Sequence, residues 1–424
     1  MVNITRCFAL LCLLLSFPLW IPIAQALEFD WSYSYREETD SECVEAFQDN
    51  RLDDAIELCS RDAKDHEEPL AQLILGIIAE RQKNYDEAMT WMKKAAQQGN
   101  STAMYRIGNI YMLGLGVDKN LQTAIDWYRK SASADNPEGL LSLGIVYQRG
   151  LSGEQDYGKA LEYYRKASEL GQSTATLNLG VLYMKGLGTT RDPERAVKLF
   201  TKAAEAGNIQ AMHNLVIFYN REHGGKPDYR KLAYWSEKGA LKGDPESLNN
   251  LAILYLNGQG VPQDYQKATT LLMDAASQDH PEAQYLLSLM YSKGKGVTRD
   301  EKKAIKWLIR SADNEFTKAQ ETLGRFYVLG EHVKKDATKG INLLKRAAEK
   351  NHPGAIYSLA IIYADGKEVK RNIGLAHALA TLAQKEGVEE AAEIVSKIEA
   401  AINPESLPRL RQHTRDYLES VGRK

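Results

Sequence analysis

Three asparagines, Asn178, Asn214 and Asn250, stand 36 residues apart. A side-chain amide both donates and accepts hydrogen bonds, so a row of them can bond the backbone of an extended peptide without reading its sequence. The same column continues in both directions as Arg106, Ser142, Leu286, Thr322 and Ser358. One residue earlier stand Tyr105, His213, Asn249, Tyr285 and Tyr357, and seven residues later Arg149, Lys185, Arg221 and Lys293. Together these residues predict a groove with aromatic, amide and basic edges, suited to an acidic or extended segment. A second reading stays open beside it. The amides can simply tie neighbouring helices together, and cations near a helix end complement its dipole.

The motifs that carry catalysis are missing. There is no G-x-x-x-x-G-K-[ST] loop to cradle phosphate, no H-E-x-x-H and no G-x-S-x-G elbow. The eight histidines are scattered, with none paired at i, i+4. No metal site and no cofactor are expected. The formal net charge of −2 gives no field to draw nucleic acid or an anionic membrane.

Cysteine usage fits export. Cys7 to Phe17 is an apolar run preceded by Arg6 and followed by Pro18 and Pro22, and Ala24-Gln25-Ala26 supplies small residues for cleavage after Ala26. That layout is a secretory signal peptide over 1–26, and no later stretch approaches the length of a spanning helix. The mature chain is therefore expected to be periplasmic or secreted. Its two remaining cysteines, Cys43 and Cys59, lie eight residues either side of Arg51, where residues 42–48 and 52–64 read as an antiparallel helical hairpin. In an oxidising compartment the pair is expected to form a disulfide; two free buried thiols are the other reading.

The elements that position these residues repeat. Tyr111, Tyr147, Tyr183, Tyr219, Tyr255, Tyr291, Tyr327 and Tyr363 follow one another at intervals of 36 residues. Three residues upstream of each stands Gly108, Gly144, Gly180, Val216, Ala252, Ser288, Gly324 or Ala360, small in every unit but one. Each unit reads as two helices. In 137–148, Leu140, Leu143, Gly144 and Tyr147 form an i, i+3, i+4, i+7 stripe. Proline after Asn136, Asp244, His280 and His352 marks first helical positions. A loop such as GQGVPQD (258–264) follows, then a second helix such as 121–134 with Ala124, Trp127, Tyr128 and Ala132 facing inward. The small column is expected to face the alanine column of Ala132, Ala204, Ala240, Ala276, Ala312 and Ala348. The tyrosine column and Trp127, Trp235 and Trp307 are expected in the core rather than as a sugar-stacking platform.

The LGxxY segment, the GxGV loop and the A-x-x-W/Y/L helix with A-A-x-x-G resemble the Sel1-like repeat, a relative of the tetratricopeptide repeat. The resemblance implies an all-α fold, an α/α superhelix or solenoid of stacked hairpins. The expected organisation is a signal peptide (1–26), a linker (27–40), two tetratricopeptide-like hairpins (41–101), eight repeats (102–391) and capping helices (392–424). Within that last segment, 403–421 reads as one polar helix with Asn403 as N-cap. The unit around 216–235 departs from the pattern, its glycines moving to Gly224-Gly225, and local distortion is expected there.

The resemblance also implies a non-catalytic scaffold of the bacterial envelope that binds a protein partner, an envelope or cell-wall enzyme among the candidates. Tetratricopeptide domains that hold peptide tails use asparagine at a similar place. A peptidoglycan or glycan binder, or a structural component of an envelope assembly, is the alternative. Some cysteine-rich relatives are associated with β-lactam hydrolysis; here there is no disulfide per repeat and no K-T-G strand motif.

Overall fold

A computed structural model of the chain describes residues 41–65, 67–220 and 226–422. The expected signal peptide and linker, Arg221, and the loop glycines Gly224-Gly225 lie outside the described residues. Among those residues there are 22 α-helices and no strand. The chain divides into two compact units at 223/224.

The first unit holds α1 (Glu42–Gln48), α2 (Leu52–Asp65), α3 (Pro69–Arg81), α4 (Tyr85–Gln97), α5 (Ser101–Leu113), α6 (Leu121–Ser133), α7 (Pro137–Arg149), α8 (Tyr157–Glu169), α9 (Ser173–Lys185), α10 (Pro193–Glu205) and α11 (Ile209–Asn220). The second holds α12 (Tyr229–Ala240), α13 (Pro245–Asn257), α14 (Tyr265–Ser277), α15 (Pro281–Lys293), α16 (Glu301–Asp313), α17 (Thr317–Leu329), α18 (Ala337–Glu349), α19 (Pro353–Asp365), α20 (Ile373–Lys385), α21 (Ala391–Ala400) and α22 (Leu407–Ser420). Successive helices pack on one another from α1 to α11 and from α12 to α21, α22 packs on α20, and first helices also touch first helices: α5 on α7, α7 on α9, α17 on α19. First helices α5, α7 and α9 thus neighbour one another in the first unit; in the second, α17 neighbours α19, and Asn249 of α13 reaches Glu282 of α15.

Local chemistry sets the helix ends. Every second helix from α6 to α20 starts behind an Asn or Asp side chain that accepts from the backbone N–H three residues on, Asn120 from Thr123 and Asp264 from Lys267 among them. This satisfies a donor with no intrahelical partner. Most first helices end on a glycine in the left-handed region, such as Gly294 at φ +65°, where a side chain would be strained.

The small column serves a purpose other than the one expected. A Cβ at Gly108 would lie 2.5 Å from Cε1 of Tyr128, at Gly144 2.4 Å from the Tyr164 ring and at Gly180 2.7 Å from Phe200. The glycines make room for a large side chain twenty residues on, not for alanine. Tyr128, Tyr164 and Phe200 are in consequence almost wholly buried. The aromatic columns also need correction. Tyr183, Tyr255, Tyr291 and Trp235 are buried, but Tyr111, Tyr147, Tyr219, Tyr327, Tyr363, Trp127 and Trp307 are only half-buried. A cation covers rings of both kinds: among the buried ones Arg195 lies 4.3 Å from the Tyr183 ring centroid and Lys267 4.4 Å from Tyr255, and among the half-buried ones Lys339 lies 4.6 Å from Tyr327 and Lys130 4.2 Å from Trp127. Of the side chains expected to face inward in the second helix of the first full repeat, Ala124, Tyr128 and Ala132 do so, joined by Ile125.

The C-terminal segment also differs from the sequence expectation. Asn403 caps a short 3-10 turn, Pro404–Ser406, and α22 begins only at Leu407. Pro408 lacks the N–H that one continuous helix starting at Pro404 would use beyond its first turn. At the other end, Cys43 and Cys59 form a disulfide between α1 and α2, with their Cα atoms 4.9 Å apart.

Candidate functional site

In the second unit the first helices bring Asn249 and Asn250 together with carboxylates that the sequence reading passed over. These come from the second position of the first helices, which carries Glu138, Glu246 and Glu282. Proline at the first position fixes the helix start, so the next side chain always leaves from the same place.

In the first unit, Asn178 is half-buried and hydrogen-bonds the Tyr164 hydroxyl, which also donates to Gln148 at 2.5 Å. Its amide is engaged inside the packing. Asn214 is buried, and His213 beside it half-buried. Tyr105 is 4% exposed and packs 6.1 Å from the Tyr128 ring. Asn109 holds both hydroxyls, accepting from Tyr128 at 2.7 Å. Burial pushes the Tyr105 hydroxyl up to about 12. Beside it, Arg106 pairs with Glu80 at 2.8 Å. Arg149 and Lys185 are half-buried at the last turns of α7 and α9, and burial pushes the Lys185 ammonium down.

In the second unit, Asn249 and Asn250 sit in a denser polar cluster. Asn249 is fully buried, donates Nδ2 to Glu282 at 3.1 Å and leaves Oδ1 without a donor. Asn250 is half-buried and donates to Glu246, one turn earlier, at 3.3 Å. The other Glu246 oxygen lies 3.1 Å from Nε2 of His280. Nδ1 of His280 accepts from the Ala283 N–H at 3.2 Å as the cap of α15, so Nε2 carries the ring proton and donates to Glu246. Partial burial pushes the Glu282 carboxyl above its ordinary range, with Glu246 adding to the push and Lys318 and His280 opposing it. Tyr285 is half-buried, its ring 5.4 Å from Phe316.

The sequence-predicted residues therefore divide between the units: Tyr105, Arg149, Lys185, Asn178, His213 and Asn214 in the first, Asn249, Asn250 and Tyr285 in the second. A shallow cavity of about 640 Å³ opens elsewhere in the first unit, lined by Arg129, Tyr147 and Lys159 among others, beside the loop where Gly153 replaces the valine of other repeats.

One Ser-x-x-Lys spacing, Ser292 to Lys295, occurs in the chain. Gly294 ends α15 between them, and Lys295 lies 4.8 Å from the Tyr265 ring centroid. The pair is therefore not one turn apart on a helix, as serine–lysine catalysis requires. Among the described residues, no group of three or more His, Cys, Asp or Glu is arranged to hold a metal ion, and no helix is long and apolar enough to cross a membrane.

Comparison with known proteins gives the family. The Sel1 repeat matches eight consecutive segments, 101–136, 137–172, 173–208, 209–244, 245–280, 281–316, 317–352 and 353–387. The chain belongs to the Sel1 repeat family. A tetratricopeptide repeat matches residues 45–102. Among solved structures, a Sel1 repeat protein from Oxalobacter formigenes is 27% identical, with 73% of this chain and 90% of that chain covered and a TM-score of 0.59. The protein c5321, a protective antigen of uropathogenic Escherichia coli strains displaying an SLR fold, is 26% identical over 86% of this chain and 94% of its own, with a TM-score of 0.47. No curated relative matches. Sel1 and tetratricopeptide repeats generally mediate protein–protein interaction and are typically non-catalytic scaffolds.

Proposed function

We propose that this protein is a non-catalytic scaffold of the bacterial envelope that binds an extended segment of a partner protein along its first helices. The observation that carries the reading is the juxtaposition, in register, of buried and half-buried amides, carboxylates and aromatic rings on neighbouring first helices. Asn249, Asn250, Glu246, Glu282 and Tyr285 supply it in the second unit. Amides and carboxylates there can meet backbone N–H and C=O groups of an extended chain. The Cys43–Cys59 disulfide is what an oxidising compartment permits, and the apolar run before Ala26 supports export to the periplasm or beyond.

Site-specific photo-crosslinking in cells tests this. A photoreactive residue at Tyr285 should trap a partner that one at Lys306, exposed on α16, does not. Equal trapping from both positions, or from neither, overturns the reading.

A further inference from the structure

We propose that the exposed face of α16 and α18 docks on a membrane surface that carries anionic lipid headgroups. The inference goes beyond the scaffold reading and takes from it only the export of the chain.

The chain as a whole carries −2, but its charge is not spread evenly, so the average understates the local field. The two repeats over 281–352 hold fifteen Lys and Arg against nine Asp and Glu. The excess lies on their second helices. On α16, Lys302, Lys303, Lys306 and Arg310 are exposed against one exposed carboxylate, Asp313. On α18 and its C-cap, Lys339, Lys345, Arg346 and Lys350 are exposed against Glu349. The preceding second helix, α14, exposes one charge of each sign, Lys267 and Asp274.

The two helices present this face in register. Lys303 and Lys339 each lie over the tyrosine of their own repeat, 5.3 Å from the Tyr291 ring centroid and 4.6 Å from that of Tyr327. Arg310 and Arg346 each reach back to the turn before, to Asp279 at 2.9 Å and to Glu315 at 3.6 Å. Glu315, just past the end of α16, also holds Lys350 at 2.7 Å, which joins the last turns of the two helices. Asp300 and Asp336 are engaged as helix caps. Lys302, Lys306 and Lys345 are left with no hydrogen-bond or ion-pair partner among the described residues.

The chemistry of the face narrows what it can hold. No large apolar side chain of either helix is exposed, so the face lacks the apolar centre of a protein–protein interface. Trp307 and Tyr327 lie under Arg310 and Lys339, which leaves no open ring for a nucleic-acid base to stack on. Both arginines are engaged with carboxylates. What remains is lysine, a point charge without the fork that reads a fixed partner. Several ammonium groups on one face suit a plane of diffuse negative charge, where each is worth roughly fivefold in affinity.

Co-sedimentation of the mature chain, from Leu27 onward, with lipid vesicles tests this. The vesicles are phosphatidylcholine alone or an equal mixture of phosphatidylcholine and phosphatidylglycerol. At low salt the mixed vesicles should bind about tenfold more tightly or better, and added salt should release the chain. Lys302→Gln/Lys306→Gln/Lys345→Gln should weaken that binding on the order of a hundredfold and melt like its parent. Lys64→Gln/Lys83→Gln/Lys93→Gln, which removes as many exposed lysines from the first hairpins, should leave binding unchanged. Equal binding to both kinds of vesicle, or equal loss in the two triple variants, overturns the inference. So does duplex DNA that binds as tightly as the mixed vesicles. The crosslink at Tyr285 reads a protein partner and does not involve this face, so either reading can fail alone.

Discussion

At the scale of single residues, packing rests on holes cut for large side chains. Gly108 is one: Tyr128 Cε1 and Cδ1 occupy the space a Cβ would need, at 2.5 and 2.6 Å, and the Ala124 carbonyl stands 3.3 Å away. The ring is fixed by its hydroxyl, which donates to Asn109, so it has no easy retreat. Gly108→Ala should therefore cost about 1–3 kcal/mol, the usual range for overpacking, read as a lower melting temperature. Adding Tyr128→Leu should return part of that loss, since the repeat with Leu344 keeps the same place filled by a smaller side chain. A Gly108→Ala protein that melts like its parent would show that the ring can move aside. The spacing of the small column was legible in the sequence; its partner was not. Periodicity identifies which residues share a face, but whether glycine opposes alanine or a ring depends on the crossing of two helices, which no single column encodes.

At the scale of the helix, the caps carry a dependence on pH. Proline marked the starts of α15 and α19, and the residue before each was legible as a boundary. That His280 and His352 themselves cap was not legible, because histidine is an uncommon N-cap. His352 Nδ1 accepts from the Ala355 N–H at 3.3 Å, which only the ring unprotonated at Nδ1 can do. Burial, with Lys318 nearby, pushes His352 below its ordinary value. His377 is also pushed down by burial. Its Nδ1 meets the Thr414 hydroxyl at 2.7 Å and its Nε2 meets Glu399 at 3.3 Å, tying α20 to α22 and α21. Arg411, paired with both Glu399 oxygens at 2.9 Å, keeps that carboxylate ionised. For a histidine whose folded value is lowered, the unfolded chain binds protons first as pH falls. Stability is then fully present above the unfolded value, about 6.5, and declines as pH drops below it. Melting temperature should fall between pH 7.5 and pH 5. His352→Asn keeps a capping acceptor without a titrating ring and should reduce that fall. An unchanged slope would remove His352 from the account.

At the scale of the whole molecule, the 36-residue period was legible because each hairpin packs on its sequence neighbours, so the constraints on a repeat lie within reach of a local pattern. The polar cluster of the second unit was harder to see, since it joins residues 33 and 34 positions apart across successive hairpins. Nearest-neighbour packing has a further consequence for stability. The apolar core is several clusters: one around Cys43, Cys59, Ile77, Met92 and Ile107, and another around Leu344, Leu359, Leu379 and Leu418. Among the described residues these two clusters share no member, so damage at one end should stay there. The disulfide offers a clean way to cause it. It closes a loop with a sequence separation of 16 inside the first cluster, a constraint worth about 3 kcal/mol in the chain-entropy model. Reduction, or Cys43→Ser with Cys59→Ser, should speed amide hydrogen exchange in α1 to α4 and leave α18 to α20 at their original protection. In a protein with one shared core the same lesion would lower protection throughout. Uniform loss across both segments would thus refute the additive picture, whereas exchange confined to the first hairpins would show that each repeat draws its stability from the neighbours it touches.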